Sequence, residues 1–177
     1  MYGGDGLTEG GIAMDVRVLE LVGEEKEAAL EECRRSFDAW GLTIPQVPAC
    51  PLHFGLHDFS KTGEIEFDIN NNLEEGYCGK FIYIMKGQTC PMHHHRIKHE
   101  TFYLVKGRVE MEAAERTSIM EQGDILVMPQ NTRHRFTGLE HSLILECSKP
   151  DIVSDSIFDD QRIAAAISRY SETDDRV

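Results

Sequence analysis

The sequence is short of basic residues, has no long apolar run and holds no paired cysteine motif, and each shortage removes a class of protein. Lysine and arginine number 18 against 31 aspartates and glutamates, for a net charge of -13 at pH 7. Phosphate backbones and anionic bilayers are held by clustered Lys and Arg, so no nucleic acid and no membrane is expected as partner. No stretch approaches the roughly 18 apolar residues of a membrane span. MYGGDGLTEGGIAMDV has no basic start followed by an apolar block, so a signal peptide is not expected. Met14 is an alternative start to Met1, with the glycine-rich residues before it an extension. Cys33, Cys50, Cys78, Cys90 and Cys147 are odd in number, scattered and without a CxxC pair, a usage that suits a reducing cytoplasm better than a disulfide scaffold.

What is present is one domain's worth of chain, 177 residues, enough for a single substantial core. Between Glu24 and Trp40, apolar Leu30, Cys33, Phe37 and Trp40 recur at steps of three and four among charges, and Gly41 follows. This spacing predicts an amphipathic helix that stops at the glycine. The proline-rich LTIPQVPACP after it is expected to run extended and irregular. From about Leu52 the character changes to short runs punctuated by Gly, Asn, Asp and Pro: HFGLHDF, GEIEFDIN, KFIYIMK, ETFYLVKGRVEMEA, DILVMP, HRFTG and HSLILEC. Closely spaced strands without intervening helices predict an all-β, antiparallel barrel or sandwich, with DINNNLEEGYCG as its main internal loop. The expected organisation is an N-terminal extension with its helix over 1–51, a β-barrel over 52–148, and a C-terminal segment over 149–177. That last segment is expected to pack on the barrel, form a short helix around Gln161 to Ser168, and end in a frayed polar tail.

Two patches carry chemistry. In GQTCPMHHHRIKHETFYLVKG, from Gly87 to Gly107, His93, His95 and Glu100 stand at metal-ligand spacing. In GDILVMPQNTRHRF, from Gly123 to Phe136, His134 follows Pro129 and Asn131. Alternate residues of a strand share a face, so His93 and His95 project together while His94 points away. Glu100 lies one turn further on, and His134 comes from a later strand to close a set of three nitrogens and one carboxylate. Without cysteine in the set, a closed structural zinc site is not expected. Mixed imidazole and carboxylate ligation suits divalent Mn, Fe, Co, Ni or Zn, with positions left open for a substrate. His53, His57, His94, His99 and His141 read as ordinary polar residues.

The two patches resemble the two motifs of the cupin superfamily and match them at each glycine, histidine, glutamate and proline position, with 15 residues between Gly107 and Gly123. The resemblance implies a small antiparallel barrel, or jelly roll, with the ion near its open mouth. Such barrels host many chemistries, so sequence outside the motifs must decide between them. GYCGKFIYIMKGQTCPMHHHRIKHE, HFGLHDFSKTGEIEFDINNN and LILECSKPDIVSDSIFDD resemble the cupin sugar isomerases of the D-lyxose ketol-isomerase type, over about Trp40 to Arg162. In that family one lysine stands 13 residues before the first histidine ligand and another two residues before the glutamate ligand; Lys80 and Lys98 hold those positions. Glu146, in LECS, resembles the glutamate that follows the second motif. Asp155 stands where the family often shows Asp-Asn before an aromatic, although Ser156 follows it here, and it is carried over as a substrate-binding residue.

The expected activity is therefore a divalent-metal aldose–ketose isomerase, manganese being the first choice of ion, acting on a free sugar such as D-lyxose or D-mannose. Glu146 shares strand parity with Ile144, and Lys80 with Ile82 and Ile84, so both are expected inside the barrel. Glu146 would shuttle the carbon-bound proton, with Lys80 and Lys98 stabilising the developing charge. A cupin dioxygenase or decarboxylase using the same ligands, and a non-catalytic metabolite binder, are the competing classes. An acidic barrel with long edge strands is expected to pair into a homodimer.

Overall fold

The computed structural model describes residues 19–172; the glycine-rich start, including Met1 and Met14, and the last residues of the polar tail lie outside the described residues. Its elements run α1 (Gly23–Trp40), β1 (Ala49–Leu52), β2 (Glu64–Asn72), β3 (Tyr77–Ile84), β4 (Thr89–His95), β5 (Glu100–Lys106), β6 (Arg108–Ala113), β7 (Arg116–Glu121), β8 (Ile125–Met128), β9 (His134–Gly138), β10 (Ser142–Ser148), β11 (Ser156–Phe158) and α2 (Gln161–Glu172). The strands form two antiparallel sheets, ordered β1-β2-β3-β10-β5-β8 and β11-β4-β9-β6-β7, which face each other as a jelly roll. No helix among the described residues is long and apolar enough to cross a membrane.

The chain changes sheet at Gly107, between β5 and β6. Its φ of 84° is left-handed, and a Cβ there would collide with the His141 carbonyl and come within 2.8 Å of the Ser142 Cα. Only glycine passes such a corner without strain. At α1 the expected stop is also found: Gly41 takes φ 66°, and Leu42 N–H donates to the Phe37 carbonyl at 3.0 Å, closing the helix end.

The six-stranded sheet is covered on both faces in its middle, and this decides where the polar side chains go. On one face Ile65, Phe67, Tyr83 and Leu143 pack under Cys33 and Phe37 of α1. Phe37 meets Phe67 edge-on at 6.1 Å between ring centres. Burying such a ring is worth about 1.5–3 kcal/mol. The Tyr83 hydroxyl, buried there, bonds the Ser36 hydroxyl at 2.7 Å, so it carries no unpaired polar group into the core. On the other face Ile82, Ile84, Phe102, Leu104 and Ile144 meet Val109, Met111 and Phe136 of the second sheet.

Three segments depart from the sequence expectation. HFGLHDF is not a strand: Phe54, Gly55 and His57 take left-handed φ values of 53°, 76° and 55°, which coil the chain into turns. DINNNLEEGYCG is mostly ladder, not loop, because Asn71 pairs with Cys78 and Asn72 with Tyr77 around a turn closed by left-handed Gly76. The segment after Ser148 returns to the barrel and adds β11 beside β4, setting Ser156, Ile157 and Phe158 opposite His95, His94 and His93. The C-terminal helix covers the expected stretch and runs on to Glu172.

Candidate metal centre

His93 and His95 leave β4 on one face, two residues apart. Across the β4–β9 ladder His93 pairs with His134, and Glu100 opens β5 alongside. One nitrogen from each of the three imidazoles falls within 4.8 Å of the others. The Glu100 carboxylate completes the group, with Oε1 at 3.3 Å from His95 Nε2 and Oε2 at 3.4 Å from His134 Nε2. All four side chains are buried.

The tautomers are set by backbone carbonyls. His93 donates its Nδ1–H to Pro91 at 2.8 Å, His95 to Asp155 at 3.2 Å and His134 to Thr132 at 2.9 Å. Each Nε2 is then a lone-pair acceptor, which is how a metal-ligating imidazole is normally oriented. Nε2 of His95 and of His134 is buried without a hydrogen-bond partner. Bare acceptors facing a carboxylate are costly unless a cation lies among them. Ligands about 2.0–2.2 Å from one ion would stand roughly 3 Å apart, close to the 3.3 and 3.4 Å found. The residues fit a divalent ion held by imidazole and carboxylate.

Electrostatics agree. Burial pushes the His93 imidazole well below its usual range, and the neighbouring His134 and His95 rings push it further. Burial lowers His134 as well, against the pull of the Glu100 carboxylate. Burial alone would raise Glu100, but contact with His95 and the Lys98 charge bring it down to about 2. Neutral imidazoles beside an ionised carboxylate are the protonation states a metal requires.

Beside this group lies a second one. Lys98, in the turn between β4 and β5, places Nζ 3.2 Å from Glu100 Oε1 and 2.7 Å from Glu146 Oε1, with Asp151 at 3.5 Å. Glu146 and Lys80 are cross-strand partners in β10 and β3, both pointing inward as the parity with Ile144 and Ile82 requires. Ser148 donates its hydroxyl to Glu146 at 2.7 Å. Lys80 is held by Asp151 and by Glu66 at 3.0 Å. Burial opposes the charge on both lysines, but the surrounding carboxylates hold them well above the usual lysine range, so both stay cationic.

Asp155 has a different place from the one carried over by resemblance. Its carboxylate is buried outside the cavity lining and accepts from the backbone N–H groups of Arg96 at 3.0 Å, Ile97 at 3.0 Å and Lys98 at 2.9 Å. With its oxygens taken by three amides and its own carbonyl taken by His95, it shapes the turn that carries Lys98. Asp151, which sequence reasoning did not single out, takes the place between the two lysines. Glu64 and Glu66 were also missed. Their signal is the alternation E-I-E-F-D at the head of β2, which sets carboxylates on one face and apolar residues on the other.

The metal group and the Lys98 cluster open on a cavity of about 330 Å³ lined by His93, His95, Glu100, Lys98, Glu146 and Lys80, with apolar walls from Phe54, Phe102 and Phe158. That is small-molecule size.

Residues 80–145 match the family model described as Cupin domain. No curated protein is significantly similar in sequence. Among solved structures, L-ribose isomerase from Acinetobacter sp. DL28, in complex with L-ribose, superposes with a TM-score of 0.68 at 14% identity, over 84% of this chain and 96% of the other. L-ribose isomerase from Cellulomonas parahominis gives 0.66 at 14%, with the same coverage. The Geodermatophilus obscurus L-ribose isomerase gives 0.53 at 16%, over 59% of this chain and 72% of the other. At these identities the likeness is one of fold. The matched stretch contains His93, His95, Glu100 and His134 and stops one residue before Glu146; over residues 80–145 this chain is similar to a cupin domain, and the two antiparallel sheets around that stretch form a jelly roll.

Proposed function

We propose that the protein is a divalent-metal aldose–ketose isomerase acting on a free sugar. The observation that carries this reading is the Lys98 ammonium joining Glu100, in the metal group, to Glu146, which has no place in that group. When bound, a divalent ion supplies Lewis-acid polarisation of a carbonyl oxygen and a chelating site for its neighbour. Glu146, buried and facing the cavity, takes the proton from C2 of an aldose and returns it to C1. Lys98, cationic throughout, stabilises the charge developing on the enediolate oxygens and keeps Glu146 aimed, while the hydroxyl proton passes from O2 to O1 within the enediolate. Lys80 and Asp151 fix the far side of this pair. Oxygen chemistry at the same ligands would have no use for the Lys98–Glu146 arrangement.

The charge of the cavity supports an unphosphorylated substrate. Among the described residues seven carboxyl groups and two lysines face it, and no arginine does. A phosphate would meet repulsion where recognition calls for a bidentate guanidinium. D-lyxose and D-mannose are the substrates favoured by the sequence resemblance, and L-ribose joins them because proteins of similar fold act on it. Manganese is the ion proposed, the carboxylate ligand suiting it, and iron, cobalt, nickel and zinc fit the same imidazoles. The free state of all five cysteines supports a cytoplasmic setting. The exposed Ile125 and Val127 on edge strand β8 support pairing into a homodimer.

The test is direct. Purified protein loaded with manganese under anaerobic conditions is given D-lyxose, D-mannose and L-ribose separately, and the products are resolved by chromatography. D-xylulose, D-fructose or L-ribulose is expected. Absence of ketose from all three overturns the reading.

A further inference from the structure

Glu64 opens β2 and lies in the cavity wall with 4% of its surface exposed. Its Oε2 is buried and has no hydrogen-bond partner. The other carboxylates of the lining each have a cation in reach: Glu20 has Lys26, Glu66, Asp68 and Asp151 have Lys80, and Glu100 and Glu146 have Lys98. Among the described residues Glu64 has no such ion pair. The metal group and the Lys98 cluster leave it unused.

A carboxylate buried without a counter-ion is costly, and the neutral acid avoids that cost. Burial, reinforced by the charge of Glu66, pushes the Glu64 carboxyl well above the ordinary carboxylate range. At its side the buried Cys90 thiol hydrogen-bonds the Glu64 carboxyl, leaving Oε2 bare; burial and the neighbouring Glu64 push the thiol up, so it brings no charge of its own. A neutral carboxyl carries one O–H donor and keeps an acceptor oxygen. That is the complement of an alcohol, which also donates once and accepts.

We propose that Glu64 is a specificity-determining residue, whose unpartnered oxygen hydrogen-bonds one hydroxyl of a bound polyol other than the two that lie at the metal ligands. The inference rests on the sugar-isomerase reading and adds to it the group that distinguishes a full sugar chain from a deoxy one. A site built to pair a hydroxyl discriminates against the analogue lacking it, because its own polar group is then left bare.

The test measures binding, not turnover. Manganese-loaded wild type, Glu64→Leu and Glu64→Gln are titrated calorimetrically with xylitol, ribitol and D-arabinitol, and with monodeoxy versions of whichever pentitol binds. Metal content and melting temperature are recorded for each protein. Loss of one net hydrogen bond predicts about tenfold weaker binding to Glu64→Leu. Glu64→Gln, which keeps a donor and an acceptor, stays within about threefold of wild type. For one deoxy pentitol the gap between wild type and Glu64→Leu closes. If Glu64→Leu binds the pentitol as tightly as wild type, or if the gap persists for every deoxy analogue, the inference fails while the isomerase reading stands. If wild type binds none of the three pentitols, the inference fails, and ketose formation from the three sugars decides the isomerase reading separately.

Discussion

Lys98 Nζ lies 2.7 Å from Glu146 Oε1 and 3.2 Å from Glu100 Oε1, so one ammonium joins the carboxylate proposed as a metal ligand to the carboxylate proposed as the base. The two carboxylates can then be separated by experiment. Glu146→Gln keeps shape and removes the base, and it is expected to lower kcat by about 10²–10⁴-fold with metal content unchanged. Glu100→Gln is expected to lose metal first. Parallel metal analysis and steady-state kinetics on the two variants check this; loss of metal from Glu146→Gln would mean its role had been misassigned.

Lys80 is 1% exposed on its side chain and is surrounded by Glu66, Asp68 and Asp151. Removing one partner of a buried ionic group strands the others. Lys80→Met is therefore expected to destabilise the fold by about 3–5 kcal/mol. Urea denaturation of the metal-free protein reads this directly. A Lys80→Met protein as stable as wild type, yet inactive, would move Lys80 from support to chemistry.

The grouping of His93, His95, Glu100 and His134 was legible in the sequence because strand parity and motif spacing bear on the same four positions. Asp151 and Glu64 were not. E-I-E-F-D at the head of β2 reads as a half-exposed strand with its apolar side inward. In the structure both faces are interior: Ile65 and Phe67 meet α1, while Glu64 and Glu66 meet the cavity. One strand's alternation cannot say which of two covered faces holds the site, because the answer depends on a helix some thirty residues upstream. Asp151 lies in an irregular stretch between β10 and β11, where no periodicity sets the direction of a side chain. Asp155 was seen as a substrate contact, and the structure sets its carboxylate on a turn instead of in the cavity lining. A carboxylate that accepts from three consecutive amides looks the same in sequence as one that meets a substrate.

That carboxylate gives a prediction with two readouts. Asp155→Ala frees the amides of Arg96, Ile97 and Lys98, which it holds at 2.9–3.1 Å. Charge-assisted bonds of this kind are worth about 1.5–3 kcal/mol each in gross terms, and partial rehydration of the exposed turn leaves a net loss of about 2–4 kcal/mol. Because His95 and Lys98 flank this turn, metal affinity should fall about 10–100-fold. Denaturation and metal titration measure the two effects. If stability falls and metal affinity does not, the turn does not aim the ligands.

The buried imidazoles predict how the metal-free protein responds to acid. His93 and His134 are held below the ordinary imidazole value of about 6.5, chiefly by burial. The unfolded chain therefore takes up protons at these positions at a higher pH than the folded one does. Stability is full above about pH 6.5 and is lost progressively as pH falls from there toward the folded values. Glu100, brought down to about 2 from 4.5, adds a second loss between those two values, again as pH falls. Urea midpoints of metal-free protein at pH 7.5, 6.5 and 5.5 should decline in that order. His93→Gln, which has no proton to gain, should reduce the slope between 6.5 and 5.5. A midpoint that rose on acidification would show that His93 and His134 are charged in the folded state, contrary to their burial.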